Sequence, residues 1–318
     1  MSEAEALDLE IGVRPDAAVA HRRRSGLRRL ASQRSAKIGV AILVSLVAMA
    51  VLAEVISPWD PTLPMLGIEP DARVRAPPCI HALGCPPEQS QHVMGLDGNA
   101  RDVFSRVVFG SRVSLFVGFV TVGGAIFIGM LLGGLAGFVG GRTDNLLMRL
   151  MDIVLAFPAL LLALVIVTAL ADVTAIDRLQ KAMLAVAIVG IPVYARVMRS
   201  SVLAVRQQDY VVAAQALGDS QLNILRRRVL PNSITPLIVA GTLGIGTAVI
   251  EIAALSFLGL AAVDPTPEWG LMIGRERSQM FAAPHLILFP GFFLTLTVLG
   301  FNLLGDGLRD ALDPRLHR

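Results

Sequence analysis

The sequence predicts an all-α polytopic membrane protein with six transmembrane helices, and three observations carry that prediction. Of its 318 residues, 54% are hydrophobic and only 17% charged, with a mean hydropathy of +0.65; soluble domains are about 25% charged. The charges are gathered so that they leave apolar runs near the ~20 residues a helix needs to cross ~30 Å of hydrocarbon. The cations also favour one side of those runs. Together these features exclude a disordered chain, a disulfide-stapled miniature and an ordinary cytosolic enzyme.

In chain order, residues 1–37 form a cytoplasmic tail. Residues 1–21 are acidic and lack apolar periodicity, as a disordered segment does. A basic cluster follows: Arg22, Arg23, Arg24, Arg28, Arg29, Arg34 and Lys37. Beside a membrane span such a cluster contacts anionic lipid and orients the chain, and a nucleic-acid partner is not expected. Residues 38–57 supply the first span, whose Glu54 lies close enough to its end to reach the interface. Residues 58–112 hold eight of the 18 prolines, so they read as an irregular loop outside the membrane.

The core, residues 113–305, contains five further apolar runs. Residues 113–141 and 153–171 are free of charge, as are 286–305, and 234–263 is interrupted only by Glu251. The run 182–195 is the shortest and contains Pro192. Snorkelling by Lys181 and Arg196 would extend it to spanning length, although a buried half-helix has the same pattern. Residues 306–318 complete the chain as a second tail.

Six spans put both termini on one side. With that side cytoplasmic, nineteen of the 28 cations lie inside and nine outside, which favours cytoplasmic termini. A cleaved signal peptide is not expected, because 37 residues precede the first apolar run.

No catalytic constellation is present. Lys37 is followed by Ile38 and Lys181 by Ala182, so neither completes a phosphate-binding loop ending in Lys and Ser or Thr. No His-Glu-x-x-His pair and no Gly-x-Ser-x-Gly elbow occurs, and the five histidines are scattered. The chain is therefore not expected to be an enzyme or to hold its own cofactor or metal. Cys79 and Cys85 fall in the external loop, where a disulfide is chemically allowed; two free thiols, or metal ligation with His81 and His92, are the alternatives. Gly129, Gly133 and Gly137 recur every four residues and so line one helix face for close packing. Gly241-x-x-Gly244-x-Gly246 has the wrong spacing and setting for a nucleotide loop. Glu251 lies deepest of the ionisable residues, as a polar lining of a substrate path or as one end of an interhelical hydrogen bond. Asp152 and Arg149 read as interface anchors.

The longest cytoplasmic connection, 196–233, carries the most specific pattern. Residues 209–217 read as a short helix stopped by Gly218, and Asp219 or Ser220 caps a second helix ending before Pro231. Ala213, Ala214 and Ala216 offer a low surface, and Arg226, Arg227 and Arg228 a basic flank. Val212-Ala213-Ala214, three residues, Gly218, nine residues and Arg228-Val229-Leu230-Pro231 resemble the coupling signature of bacterial ABC importer permeases. Asp209-Tyr210-Val211 and Leu230-Pro231-Asn232 are similar to its version in the peptide and nickel uptake group. The resemblance extends to residues 101–106, 152–158 and 254–259, Trp269-Gly270, 305–310 and Asp313-Pro314-Arg315. On these motifs the chain resembles the C-type permease of dipeptide and oligopeptide importers, including the extra first span. Two positions depart: Val212 stands where the family has Glu, and Arg228 where it often has Ile or His.

The resemblance implies a type I ABC importer transmembrane domain that moves peptides inward. It implies a B-type permease completing the pore, two ATPase subunits that bind ATP and Mg, and an extracytoplasmic substrate-binding protein. The elbow 209–231 would seat in an ATPase groove, so that ATP biases the permease between two states. Nickel or another small solute is the alternative cargo, and an ion-coupled secondary transporter using Glu251 and Asp152 the alternative class.

Overall fold

The computed structural model describes residues 33–171 and 176–312; the tail 1–21, the arginines 22–29 and the motif Asp313-Pro314-Arg315 lie outside them. The described residues form eleven α-helices: α1 (Arg34–Val51), α2 (Ala53–Ile56), α3 (Val103–Val139), α4 (Gly141–Leu155), α5 (Ala159–Ala169), α6 (Arg178–Arg206), α7 (Asp209–Ala216), α8 (Gln221–Ile224), α9 (Leu230–Phe257), α10 (Trp269–Glu276) and α11 (His285–Leu312). Five helical segments are long and apolar enough to cross a membrane, namely α1, α3, α6, the continuous helix from α8 into α9, and α11. Counting α4 and α5 as one bent span makes six, so the all-α, six-span class holds.

Three spans differ from their sequence reading. The second begins at Val103, ten residues before the expected 113. Asp102 caps it, its carboxylate accepting from Ser105 N at 2.7 Å. The charges inside its first turns are met by neighbours: Arg106 Nη1 donates to Pro61 O at 2.9 Å, and Arg112 pairs with Glu54 at 2.9 Å. Arginines so partnered do not stop a helix.

The third span, read as one run over 153–171, is broken: α4 and α5 meet at 91°. Proline disfavours helical backbone at the preceding residue, and the turn falls at Phe157-Pro158. A charge-free run hides this break; Pro158 was its only signal.

The fourth span, read from its short 14-residue run, is a 29-residue helix through Pro192 and the most buried of the long helices. Asp177 and Gln180 form a capping box at its start. Lys181 Nζ donates to Ala171 O at 2.8 Å, while Arg196 pairs with Asp152 and Arg199 with Asp144. Because each flanking charge has a partner, the helix continues well beyond its apolar run. Asp152 is thus an ion-pair partner rather than only an interface anchor.

Close backbone approach sets the centre of the fold. Gly129, Gly133 and Gly137 of α3 all face α6: a Cβ would lie 2.7 Å from Tyr194 Cβ at the first, collide with the Ala195 carbonyl at the second, and come within 2.9 Å of Arg199 O at the third. The partner of this glycine face is therefore in the same chain. One core lies among α3, α5, α6, α7 and α9, with Met198, Val202, Val211, Ile224 and Ile252 fully buried. A second joins α1, α3, α10 and α11 around Trp269 and Phe301.

The expected irregular loop is organised by a third, small core of Met65, Leu96 and Ala100. His92 is buried beside it, 2.9 Å from Asp102 through Nδ1 and 2.9 Å from Glu69 through Nε2. Cys79 and Cys85 are joined by a disulfide with Cα atoms 5.4 Å apart.

Candidate functional site

The elbow between α6 and α9 is built from local backbone chemistry. α7 ends in a left-handed residue, Gly218, with φ +78°. Its amide donates to Gln215 O at 3.0 Å and Asp219 N donates to Ala214 O at 3.1 Å, the paired bonds that close a helix end around a glycine. Nothing lies within 4 Å of a Cβ at 218, so the backbone angle alone demands glycine there. Ser220 then caps α8, its hydroxyl accepting from Asn223 N at 3.3 Å.

The second elbow helix does not end before Pro231. It runs on into the span through a π-helical turn, Leu225–Val229, in which Leu230 N donates to Leu225 O, five residues back. Proline has no amide hydrogen and crowds the preceding turn; the wider turn gives it room. Asn232 Nδ2 donates to Arg228 O at 2.6 Å. The elbow is thus rigidly continuous with the membrane helix it precedes.

The two faces of the elbow separate cleanly. Val211, Ala214, Ile224 and Val229 are buried against the core. Ala214 therefore does not contribute to the outer surface with Ala213 and Ala216. That surface is more apolar than the sequence suggested, with Leu217 87% and Leu222 62% exposed beside Val212 and Tyr210. Arg226 and Arg227 flank it. Arg228 reaches Asp219 at 3.6 Å and ties the start of the second elbow helix to its end.

A second feature lies within the span region. A cavity of about 450 Å³ opens among α3, the α4–α5 break, α6 and α9. Ala240, Leu243, Gly244, Thr247 and Glu251 recur three or four residues apart and present one face of α9 to it. Phe157 closes it from the break and Tyr194 from α6; the Tyr194 hydroxyl occupies the space that a Cβ at Gly244 would need. Glu251 is half-buried and makes no hydrogen bond or ion pair with a described residue, so the expected interhelical hydrogen bond is not formed among them. Gly241 and Gly246 turn away from the cavity, toward Ile126 and α11. Sequence reasoning found Glu251 but missed Tyr194, Thr121 and Phe157. The hydroxyl of one of only two tyrosines, set inside an apolar run, was the available signal.

The opposite end of the molecule carries a network that composition does not reveal. Arg101 bonds Asp97 at 2.9 Å and Asp264 at 2.8 Å, Arg275 reaches Asp264 at 2.9 Å, and Arg75 bonds Glu276 at 2.7 Å. These pairs fasten the loop 58–102 to the segment around α10. Burial alone would raise Asp264, but Arg101 and the neighbouring cations outweigh it and hold its carboxyl below the usual range. Glu268 is fully buried; desolvation pushes it up, against the hydrogen bonds it accepts from Gly270 N and Leu271 N at the start of α10. No group of three metal-ligating side chains occurs among the described residues.

Residues 126–318 match the family described as binding-protein-dependent transport system inner membrane component, and residues 23–78 match the N-terminal transmembrane domain of oligopeptide transport permease C. A dipeptide transport system permease protein, DppC, from Alkalihalophilus pseudofirmus is 41% identical over 92% of this chain and 90% of its own length. The corresponding protein of Haemophilus influenzae is 39% identical over 89% of this chain and 91% of its own. A glutathione transport system permease protein, GsiD, from Pectobacterium atrosepticum is 44% identical over 71% and 74%. Among solved structures, an inward-facing methionine ABC transporter, MetNI, superposes with a TM-score of 0.54 at 19% identity, covering 66% of this chain and 98% of that one. That likeness is one of fold.

Proposed function

The chain belongs to the family of binding-protein-dependent transport system inner membrane components, as a C-type ABC importer permease, and from that premise we propose that its cargo is peptide, of dipeptide or oligopeptide length. The observation that carries the reading is near-full-length similarity to permeases whose names specify dipeptide transport. A glutathione permease among the relatives fits it, since glutathione is itself a small peptide. No cluster of metal-ligating side chains favours nickel over peptide among the described residues.

In this reading α3 to α11 form the moving core, 113–305 in the sequence division, and α1 is peripheral, packed on α11. A B-type permease completes the pore. The elbow, 209–231, seats in a groove of one of two ATPase subunits, which bind ATP and Mg, and an external binding protein delivers cargo. Both termini are cytoplasmic. Val212, Ala213, Gly218, Arg228, Leu230 and Pro231 shape the ATPase-facing element, with Ala214 anchoring it from behind. The apolar Val212 replaces a family carboxylate, so the ATPase groove meets packing rather than a charge at that point. Continuity of the elbow with α9 supports the coupling: a rigid displacement of α7 and α8 moves the cavity face of α9 directly. The cavity beside Glu251 is the part of the translocation path that this subunit contributes.

Two measurements test the proposal together. A deletion strain should lose growth on defined dipeptides as sole nitrogen source and regain it with the intact gene. The tagged chain should bring down a second permease and ATPase chains. Normal growth on every peptide tested, with loss of nickel uptake instead, overturns the cargo.

A further inference from the structure

We infer that Glu251 is a specificity-determining residue for cargo charge: it receives the protonated amino terminus of a peptide crossing the cavity between α3, α6 and α9. The inference rests on the reading of that cavity as part of the translocation path. Among the described residues, Glu251 and Tyr194 are the only ionisable side chains lining the cavity, and no Lys or Arg lines it. The carboxylate therefore has room in front of it and no counter-charge. An ionised carboxylate in apolar surroundings is costly unless a cation meets it, and a peptide ammonium arriving with the cargo is such a cation.

The rest of the lining suits the same ligand. Thr121 Oγ1 is buried, 2% of the residue being exposed, and has no hydrogen-bond partner among the described residues. The residue belongs to the cavity lining, together with Tyr194 and the exposed Thr247. The hydroxyls of Tyr194 and Thr247 both donate and accept, as the amide N–H and C=O of a peptide require. Apart from Thr247 the remaining walls are apolar, including Val186, Val189, Leu243 and the ring of Phe157, and impose little choice on the peptide's side chains. The site thus reads the backbone and its terminal charge rather than the sequence of the cargo.

The test uses the complete importer in proteoliposomes, with its ATPases and binding protein, and two probes: Ala-Ala and N-acetyl-Ala-Ala. The readout is the ratio of their uptake rates. Because the binding protein is the same throughout, its own selectivity cancels between wild type and variant. Glu251→Gln should lower the ratio about tenfold, the scale of a lost partly desolvated charge pair, and Glu251→Asp should largely keep it. Tyr194→Phe and Thr247→Val should slow both probes alike. A Glu251→Gln complex in which both rates fall by one factor, or neither changes, overturns the inference.

Glu251→Cys separates this from failure of the path itself. Cys79 and Cys85 are bonded to each other, so the introduced thiol is this chain's one free thiol, and labelling of this chain by charged, membrane-impermeant thiosulfonates reports on it. No labelling in the assembled importer, or labelling that peptide does not protect against, defeats the path reading. If labelling occurs, a cationic adduct should depress the uptake ratio and an anionic adduct restore it. Equal ratios with the two adducts overturn the charge role even if Glu251→Gln does not assemble.

Discussion

The two ends of the molecule are held by different means. At the elbow, the turn rests on a few backbone hydrogen bonds around Gly218, and Leu217 is left 87% exposed. At the other end, Arg106 is 1% exposed, and the cap formed by residues 58–102 with the segment around α10 satisfies its charges internally. Trp269, fully buried, donates from its indole to Val107 O at 3.0 Å and locks α10 onto α3. The cap is a finished surface. The elbow is an unfinished one, stiff in its backbone and apolar outward, as an element completed by another protein should be. On the proposed reading, an end that transmits movement needs few bonds to its surroundings and a firm connection to one helix, whereas an end that holds helix termini in register needs many.

The largest expected effect tests the cap. Arg106 donates to Pro61 O and Pro265 O and pairs with Asp97 at 3.4 Å. Arg106→Ala should destabilise the purified protein by about 3–5 kcal/mol, because it leaves buried partners uncompensated. Thermal unfolding in detergent measures this, and a change below about 1 kcal/mol would show that the cap is held by its apolar contacts instead.

At the elbow the energetic effect is smaller and the functional effect larger. Gly218→Val forces a branched side chain into left-handed backbone, costing about 1–2 kcal/mol locally. The complex should assemble and hydrolyse ATP, yet uptake should be lost. Normal uptake in that variant removes the elbow from the coupling path. Ser220→Ala, which deletes the cap of α8, should cost about 1 kcal/mol and reduce uptake only in part. If it abolished uptake as fully as Gly218→Val, the turn angle would not be the decisive feature.

The smallest effect separates the two ends by pH. Burial alone would lower His92, but its hydrogen bonds to Asp102 and Glu69 and their charges outweigh that and raise it above its usual 6.5. A histidine raised on folding contributes its full stabilisation below the unfolded value and loses it as pH rises through the folded one. Proteolysis of the cap should therefore accelerate as pH rises above about 6.5 and through the raised His92 value, while cleavage at the elbow stays level. His92→Gln should flatten the trend; an unchanged trend would place the titrating group elsewhere.

Much of this architecture was legible in the sequence. Charge-free runs located the spans because ionised side chains are excluded from hydrocarbon wherever they lack a partner. Gly218 and Ser220 marked the elbow because only particular residues suit a left-handed helix end and an N-cap. The same rule misplaced the second span's start and undervalued the fourth. Arg106, Arg112, Lys181 and Arg196 do have partners, and those lie 9 to 159 residues away along the chain.

By itself, then, the sequence determined whatever depends on a residue and its near neighbours: the lipid environment, the number of apolar runs, the glycine face of α3 and the turn at 218. The tertiary structure alone decided which charges are neutralised, that 153–171 bends at Pro158 to open a cavity, and that Tyr194, Thr121 and Glu251 line that cavity together. The reason is physical. Hydrophobicity and backbone preference are local, whereas the partner that makes a buried charge tolerable, or leaves one without a partner, comes from another helix.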